Sequence, residues 1–222
     1  MATLKELTYM VLDELKLSSD DSYFNEEHIA FLIGKYRSFM LRQQYKDVKK
    51  EIPDSNFQTI ILNLMEVPAI SGIPCEGGTF FKTEKKVPFL MTIANPKIYL
   101  NNFYEEEVTY VSRERMKHIG HNKWIPNFMY ASIGPDDYMY FISSKNISSE
   151  NIKVVGIFEN PELVIELNEE DSNTVNYPLE EGLIPQVLEL VVKELSASRF
   201  SPEDKQNDAS DNLSEVIQKK NG

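Results

Sequence analysis

Cysteine is almost absent from this chain. Cys75 stands alone among 222 residues, so no disulfide can form within it, and the composition suits a reducing compartment. Long apolar runs are missing too: none approaches the ~18 residues that a membrane-crossing helix requires. The opening MATLKELTYM carries acidic and polar residues rather than the pattern of an export signal. The expectation is a soluble, non-exported protein with no membrane contact. Positive charge is in short supply, with 23 Lys and Arg against 35 Asp and Glu, a net charge of −12 and a pI near 4.8. Such a field opposes general nucleic-acid binding, because phosphates would be neutralised against it. The same sign permits a passage through which DNA slides without sticking.

What is present suffices for a core. Hydrophobic residues make up 41% and charged residues 26% of the chain, the balance of a globular domain with room for a sub-domain. The widest apolar stripe lies late, in Tyr177 to Phe200, where Leu183, Ile184, Val187, Leu188, Val191, Val192 and Leu195 recur at helical spacing. Pro185 suits a first turn or a second helix start, and Lys193 and Arg199 carry the sign that the C-terminal dipole favours. That stripe must bury, and comparable patterns lie at the other end of the chain. Thr3 and Glu6 form a capping box ahead of Leu4, Leu7, Met10, Val11 and Leu15. Asn25 caps a second helix striped by Ile29, Leu32, Ile33, Tyr36, Phe39 and Met40. Its far end carries Lys35, Arg37, Arg42, Lys46, Lys49 and Lys50. They form either a solvated basic face or a contact for an acidic neighbour or DNA phosphate.

After Pro53 the texture changes. Phe57 to Val67 is short, aliphatic and bounded by prolines, and Pro and Gly breaks follow at Pro68, Gly72, Pro74, Gly77, Gly78, Pro88 and Pro96. Strand-like pieces stand at Thr79–Lys82, Phe89–Ile93, Lys97–Leu100, Tyr138–Ile142 and Ile152–Phe158, with GPDD at 134–137 as a hairpin turn. Arg113–Gly120 is a short helix or a loop. The expected class is α+β: a helical bundle formed by the N- and C-terminal helices, with an inserted antiparallel β sub-domain. The expected divisions are 1–52 for the N-terminal helices, 53–165 for the β-rich insert, 166–200 for the C-terminal bundle helix and 201–222 for a polar arm. In that arm Leu213, Val216 and Ile217 offer one amphipathic turn.

No catalytic constellation is legible. His118 and His121 have a spacing that could place two imidazoles on one metal, yet Gly120 interrupts it and no Cys, Asp or Glu ligand stands nearby. Cys75 lies in a Pro/Gly loop with no local base to activate it. Gly77-Gly78 lacks the lysine and following helix of a phosphate loop. Asp136-Asp137 and Glu105–Glu107 are carboxylate runs with no sign of a tuned pair. Trp124, with Phe128 and Tyr130, fits a core or interface better than a base-stacking platform. Catalytic, cofactor and metal residues are therefore expected to be absent. A small hydrolase or metal-dependent enzyme using Cys75 or the two histidines is the alternative, and a DNA-binding module at the basic end of the second helix is a third.

The segments FQTIILNLMEV, GIPCEGGTFFKTEKKVPFLM, TYVSRERMKHIGHNKWIPNFMYASIGPDDYMYFISSKN and IKVVGIFENPELV resemble the β sub-domain of minor virion proteins from crAss-like bacteriophages. YPLEEGLIPQVLELVVKELSASRFSPEDKQNDASDN looks like the closing helix and tail of the same proteins. The matches run from about Asn56 onward, and the N-terminal helices agree in character. The architecture is similar to the head-to-tail adaptor proteins of short-tailed phages. The resemblance implies a neck ring of identical subunits, commonly a dodecamer, that meets the portal protein and other neck or tail proteins. Genomic DNA would pass through without sequence-specific binding. It implies residence in the virion after assembly in the host cytoplasm, with no cofactor. The expected interface residues are Lys46, Lys49, Lys50, Leu213, Val216 and Ile217.

Overall fold

The computed structural model describes residues 2–18, 24–46, 50–67, 79–100, 107–116, 118, 129–143, 151–171 and 173–200. Two helices come first, α1 (Leu4–Ser18) and α2 (Glu26–Gln44). Both starts follow from local chemistry. Thr3 and Glu6 cap each other reciprocally, at 2.8 and 3.2 Å, and Asn25 accepts from the Glu27 amide at 2.9 Å, so orphan N–H groups of the first turns are satisfied. Seven strands follow: β1 (Gln58–Val67), β2 (Thr79–Thr83), β3 (Lys97–Leu100), β4 (Glu107–Tyr110), β5 (Met129–Ile133), β6 (Met139–Ser143) and β7 (Asn151–Gly156). The short α3 (Arg113–Met116) lies between β4 and β5; α4 (Pro161–Leu167) and α5 (Ile184–Phe200) close the described chain.

The strands form a closed barrel in the order β1-β2-β6-β5-β4-β3-β7. Closure depends on β1. Its first part, Gln58–Asn63, pairs with β7, and its second part, Leu64–Val67, pairs with β2. One ten-residue strand thus serves both neighbours. At the opposite wall β4 pairs antiparallel with β3 and parallel with β5. The strand period of two sorts the side chains. Ile60 and Leu62 face the interior, as do Ile98, Leu100, Ile152 and Val154 from neighbouring strands, while Ile61 and Met65 are exposed. Phe141, Phe158 and Val164 join that interior cluster. Phe80 and Ile142 point the other way and are covered by Met116 of α3.

The expected helical bundle with an inserted antiparallel β sub-domain is overturned by this topology. The architecture is a closed seven-stranded barrel accompanied by five helices among the described residues, and one of its strand pairs is parallel. The strand pieces are short and broken by Pro and Gly, so their pattern does not reveal that the first and last strands meet. Closure satisfies edges that an open sub-domain would leave exposed. The piece Phe89–Ile93 is no strand; Leu90 makes a single bridge to Phe158, flanked by Met91 N to Ile157 O at 2.8 Å and Glu159 N to Phe89 O at 2.9 Å. A Cβ on Gly156 would lie 2.5 Å from Leu90 Cδ2, so glycine permits this close approach. The GPDD turn joins β5 and β6, with Gly134 N to Tyr138 O at 2.8 Å and Asp137 in the left-handed region at φ 65°.

Beside the barrel, α1, α2 and α5 share a second core. Leu7, Val11, Leu32, Ile33, Val187 and Val191 are buried there. Leu188, expected within it, is only partly buried against its edge. Met10 and Phe39, expected in the apolar stripes, are exposed instead.

Candidate functional site

The helix α2 faces two environments, and its basic residues divide between them. Arg37, expected on a solvated basic face or at a charged contact, is fully buried. Its Nε donates to the Pro178 carbonyl at 2.7 Å and its Nη1 to the Phe158 carbonyl at 2.8 Å. The guanidinium carbon lies 5.9 Å from the centroid of the Tyr177 ring. Among the described residues no carboxylate stands within ion-pairing distance of it. Burial lowers the Arg37 pKa, with the Tyr177 hydroxyl acting in the opposite direction, and burial raises that of Tyr177. An Arg remains cationic through such shifts because its reference value is so high. The side chain therefore ties α2 to the exit from β7 and to the approach to α5.

Around this pin lies a polar seam. Ser38 Oγ donates to the Glu159 carbonyl at 2.9 Å, and Arg42 pairs with the Glu159 carboxylate at 2.6 Å. Tyr45 donates to Glu180 at 2.6 Å; burial first, and then this carboxylate, raises the phenol's pKa. Asn56 Oδ1 accepts from the Glu180 amide at 3.0 Å. Toward the other end of α2, Lys35 and Tyr36 both donate to Glu194 of α5. Those two hydrogen bonds, Tyr36 foremost, hold the Glu194 carboxyl below its ordinary range.

The outer side of α2 is different. Phe31 is 66% exposed and Phe39 56% exposed; with Lys35 between them they stand at i, i+4 and i+8, on one face. They border a groove of about 480 Å³ whose other wall is the Glu159–Glu162 segment leading into α4. That segment is held by Asn160, which caps α4 through the Glu162 amide at 3.0 Å, with Pro161 in the first turn. The floor includes Gly34 and the Tyr177 ring. Two exposed phenylalanines beside a concave surface form apolar ground suited to another chain.

The residues singled out from sequence do not converge here. Lys46 and Lys50 are exposed beyond the end of α2. Lys49, Leu213, Val216 and Ile217 lie outside the described residues, as do Cys75, His121 and Trp124. His118 is exposed just past α3. Among the described residues no three His, Cys, Asp or Glu side chains gather where they could share a metal ion, and no helix is long and apolar enough to cross a membrane. Phe31 and Arg37 went unrecognised as special. Phe31 is off the apolar stripe of α2, and that departure was the available signal. Nothing in the local sequence separates Arg37 from its basic neighbours.

The fold and groove define a barrel-and-helix scaffold with two exposed phenylalanines bordering a groove on α2. The family described as phage tail ring protein 2 matches residues 6–213, and this chain belongs to it. Ring protein 2 of Bacteroides phage crAss001 is 48% identical over 220 residues, covering 95% of this chain and 98% of that protein. The crAss-like kinship expected from the β segments is thereby shown. It extends through the N-terminal helices.

Proposed function

We propose that this protein is a structural virion component, one subunit of a homo-oligomeric ring in the neck of a short-tailed crAss-like phage. The observation that carries the reading is the near-complete match to the phage tail ring protein 2 family. The ring acts as a head-to-tail adaptor, a dodecamer stacked between the portal protein and other neck or tail proteins, and it is assembled in the host cytoplasm. A net charge of −12 per subunit supports a bore that repels DNA and keeps the genome mobile during ejection. Residues 1–52, 53–165, 166–200 and 201–222 serve as separate segments of the subunit. The last is an assembly arm carrying Leu213, Val216 and Ile217, and Lys46, Lys49 and Lys50 meet an acidic neighbour. The role asks for docking surfaces rather than reacting groups, consistent with the groove on α2.

Electron microscopy of virions tests this directly. Density for the chain as a closed ring on the DNA axis, between portal and tail, is expected. Density at the capsid surface, or a monomer away from the axis, would refute the adaptor reading.

A further inference from the structure

A closed ring requires head-to-tail contacts: each subunit presents one surface to the neighbour on its left and a different, complementary one to the neighbour on its right. Resting on the ring reading above, we infer that the groove between α2 and α4 is the acceptor surface, and that its occupant is the C-terminal segment, residues 201–222, of an adjacent copy.

Three observations support the acceptor. Phe31 and Phe39 are more than half exposed on one face of a helix whose opposite face is well packed. Gly34 lies between them in the interior of a 19-residue helix, where glycine is costly relative to alanine. Packing does not demand that glycine: a Cβ there would meet only the Tyr177 hydroxyl, at 3.8 Å. What the missing side chain does is keep the groove open above Tyr177.

The occupant follows from where the chain goes. Helix α5 runs antiparallel to α2, since Glu180 near its start meets Tyr45 and Glu194 near its end meets Lys35 and Tyr36. It ends at Phe200, and residues 201–222 follow. Extended, that length spans roughly 70 Å, ample to reach a neighbouring subunit. The segment is polar except for Leu213, Val216 and Ile217, whose i, i+3, i+4 spacing is that of a short helix laid into a groove. Its end carries Lys219 and Lys220, opposite in charge to Glu162 on the α4 wall of the groove, where Glu159 is already paired with Arg42.

The test separates donor from acceptor in full-length chains. The acceptor variant carries Phe31→Asp and Phe39→Asp; the donor variant carries Leu213→Asp and Ile217→Asp. A synthetic peptide of residues 201–222 should bind the donor variant, read by fluorescence anisotropy, and bind the acceptor variant at least tenfold more weakly. Gly34→Met, which fills the floor without adding charge, should weaken peptide binding to the same degree in the donor variant. Each variant alone should be monomeric by native mass spectrometry, and the two mixed should form a 1:1 complex. Absence of peptide binding, or binding indifferent to both groove changes, overturns the inference. Peptide binding without the 1:1 complex overturns the assignment to an adjacent copy and leaves the segment in its own groove. If the 1:1 complex forms but wild-type chains never close into rings, the ring reading fails while the groove assignment stands.

Discussion

Arg37 donates to the main-chain carbonyl of Pro178 at 2.7 Å across a sequence separation of 141 residues. With its second bond, to the Phe158 carbonyl, it makes the fully buried guanidinium a joint between α2, the end of the barrel strands and the entry to α5. A carbonyl offers less compensation for a buried charge than a carboxylate, so the geometry has to be good.

Removing that joint should be expensive. Arg37→Ala leaves the Pro178 and Phe158 carbonyls without their donor, at about 1–3 kcal/mol each, removes the longer contact to the Asn56 carbonyl at 3.5 Å, and opens a void. The expected loss is roughly 2–5 kcal/mol in urea unfolding. A change within ~0.5 kcal/mol, the range of ordinary surface substitutions, would show that the side chain is dispensable.

Two neighbouring positions on α5 should behave differently. Val191 is fully buried and Leu188 only partly so. Val191→Ala should cost about 1.5–3 kcal/mol, the value of burying a valine side chain. Leu188→Ala should fall below the roughly 2–5 kcal/mol of a fully enclosed leucine. Thermal and urea denaturation of both variants settle the order; a larger loss at Leu188 would mean that the stripe faces the other way.

Gly34→Ala should stabilise the isolated subunit by about 0.5–1 kcal/mol, because the added methyl meets only the Tyr177 hydroxyl at 3.8 Å. Destabilisation in the same assay would mean that the α2 backbone at this position cannot accept a side chain.

Acid should loosen the α2–α5 contact. The folded-state pKa of Glu194 is depressed, chiefly by the Tyr36 hydrogen bond and then by Lys35. The unfolded chain therefore binds this proton more readily. The stabilisation is fully present above the ordinary carboxylate value of about 4.3 and is lost as pH falls through the lower folded value. Glu194→Gln should flatten that part of the stability–pH curve and leave the rest of its shape intact. Titration of Glu194 at or above the ordinary value, followed by NMR, would contradict the geometry.

Local chemistry determined much of this protein. The Thr3–Glu6 capping box, the Asn25 cap and the GPDD turn act over three or four residues, so the sequence alone places them. The strands from Thr79 and Lys97 were legible for a similar reason, as was the one expected from Tyr138, which begins at Met139, since short β-rich runs with flanking Pro or Gly are local signals. The crAss-like character was legible in the β segments, and its extension to the N-terminal helices came from the family match. Tertiary structure decided what depends on distant partners. Closure of the barrel requires β1 to pair with both β2 and β7, and the parallel β4–β5 pair joins strands on either side of α3. No local pattern encodes which edges meet. The groove was illegible for the same reason. Arg37 and Phe39 are two residues apart on one helix, and their side chains exchange the environments that polarity alone would assign them. The carbonyls of Pro178 and Phe158 give the cation a buried site, while Phe39, on the outer side of α2, is left in solvent.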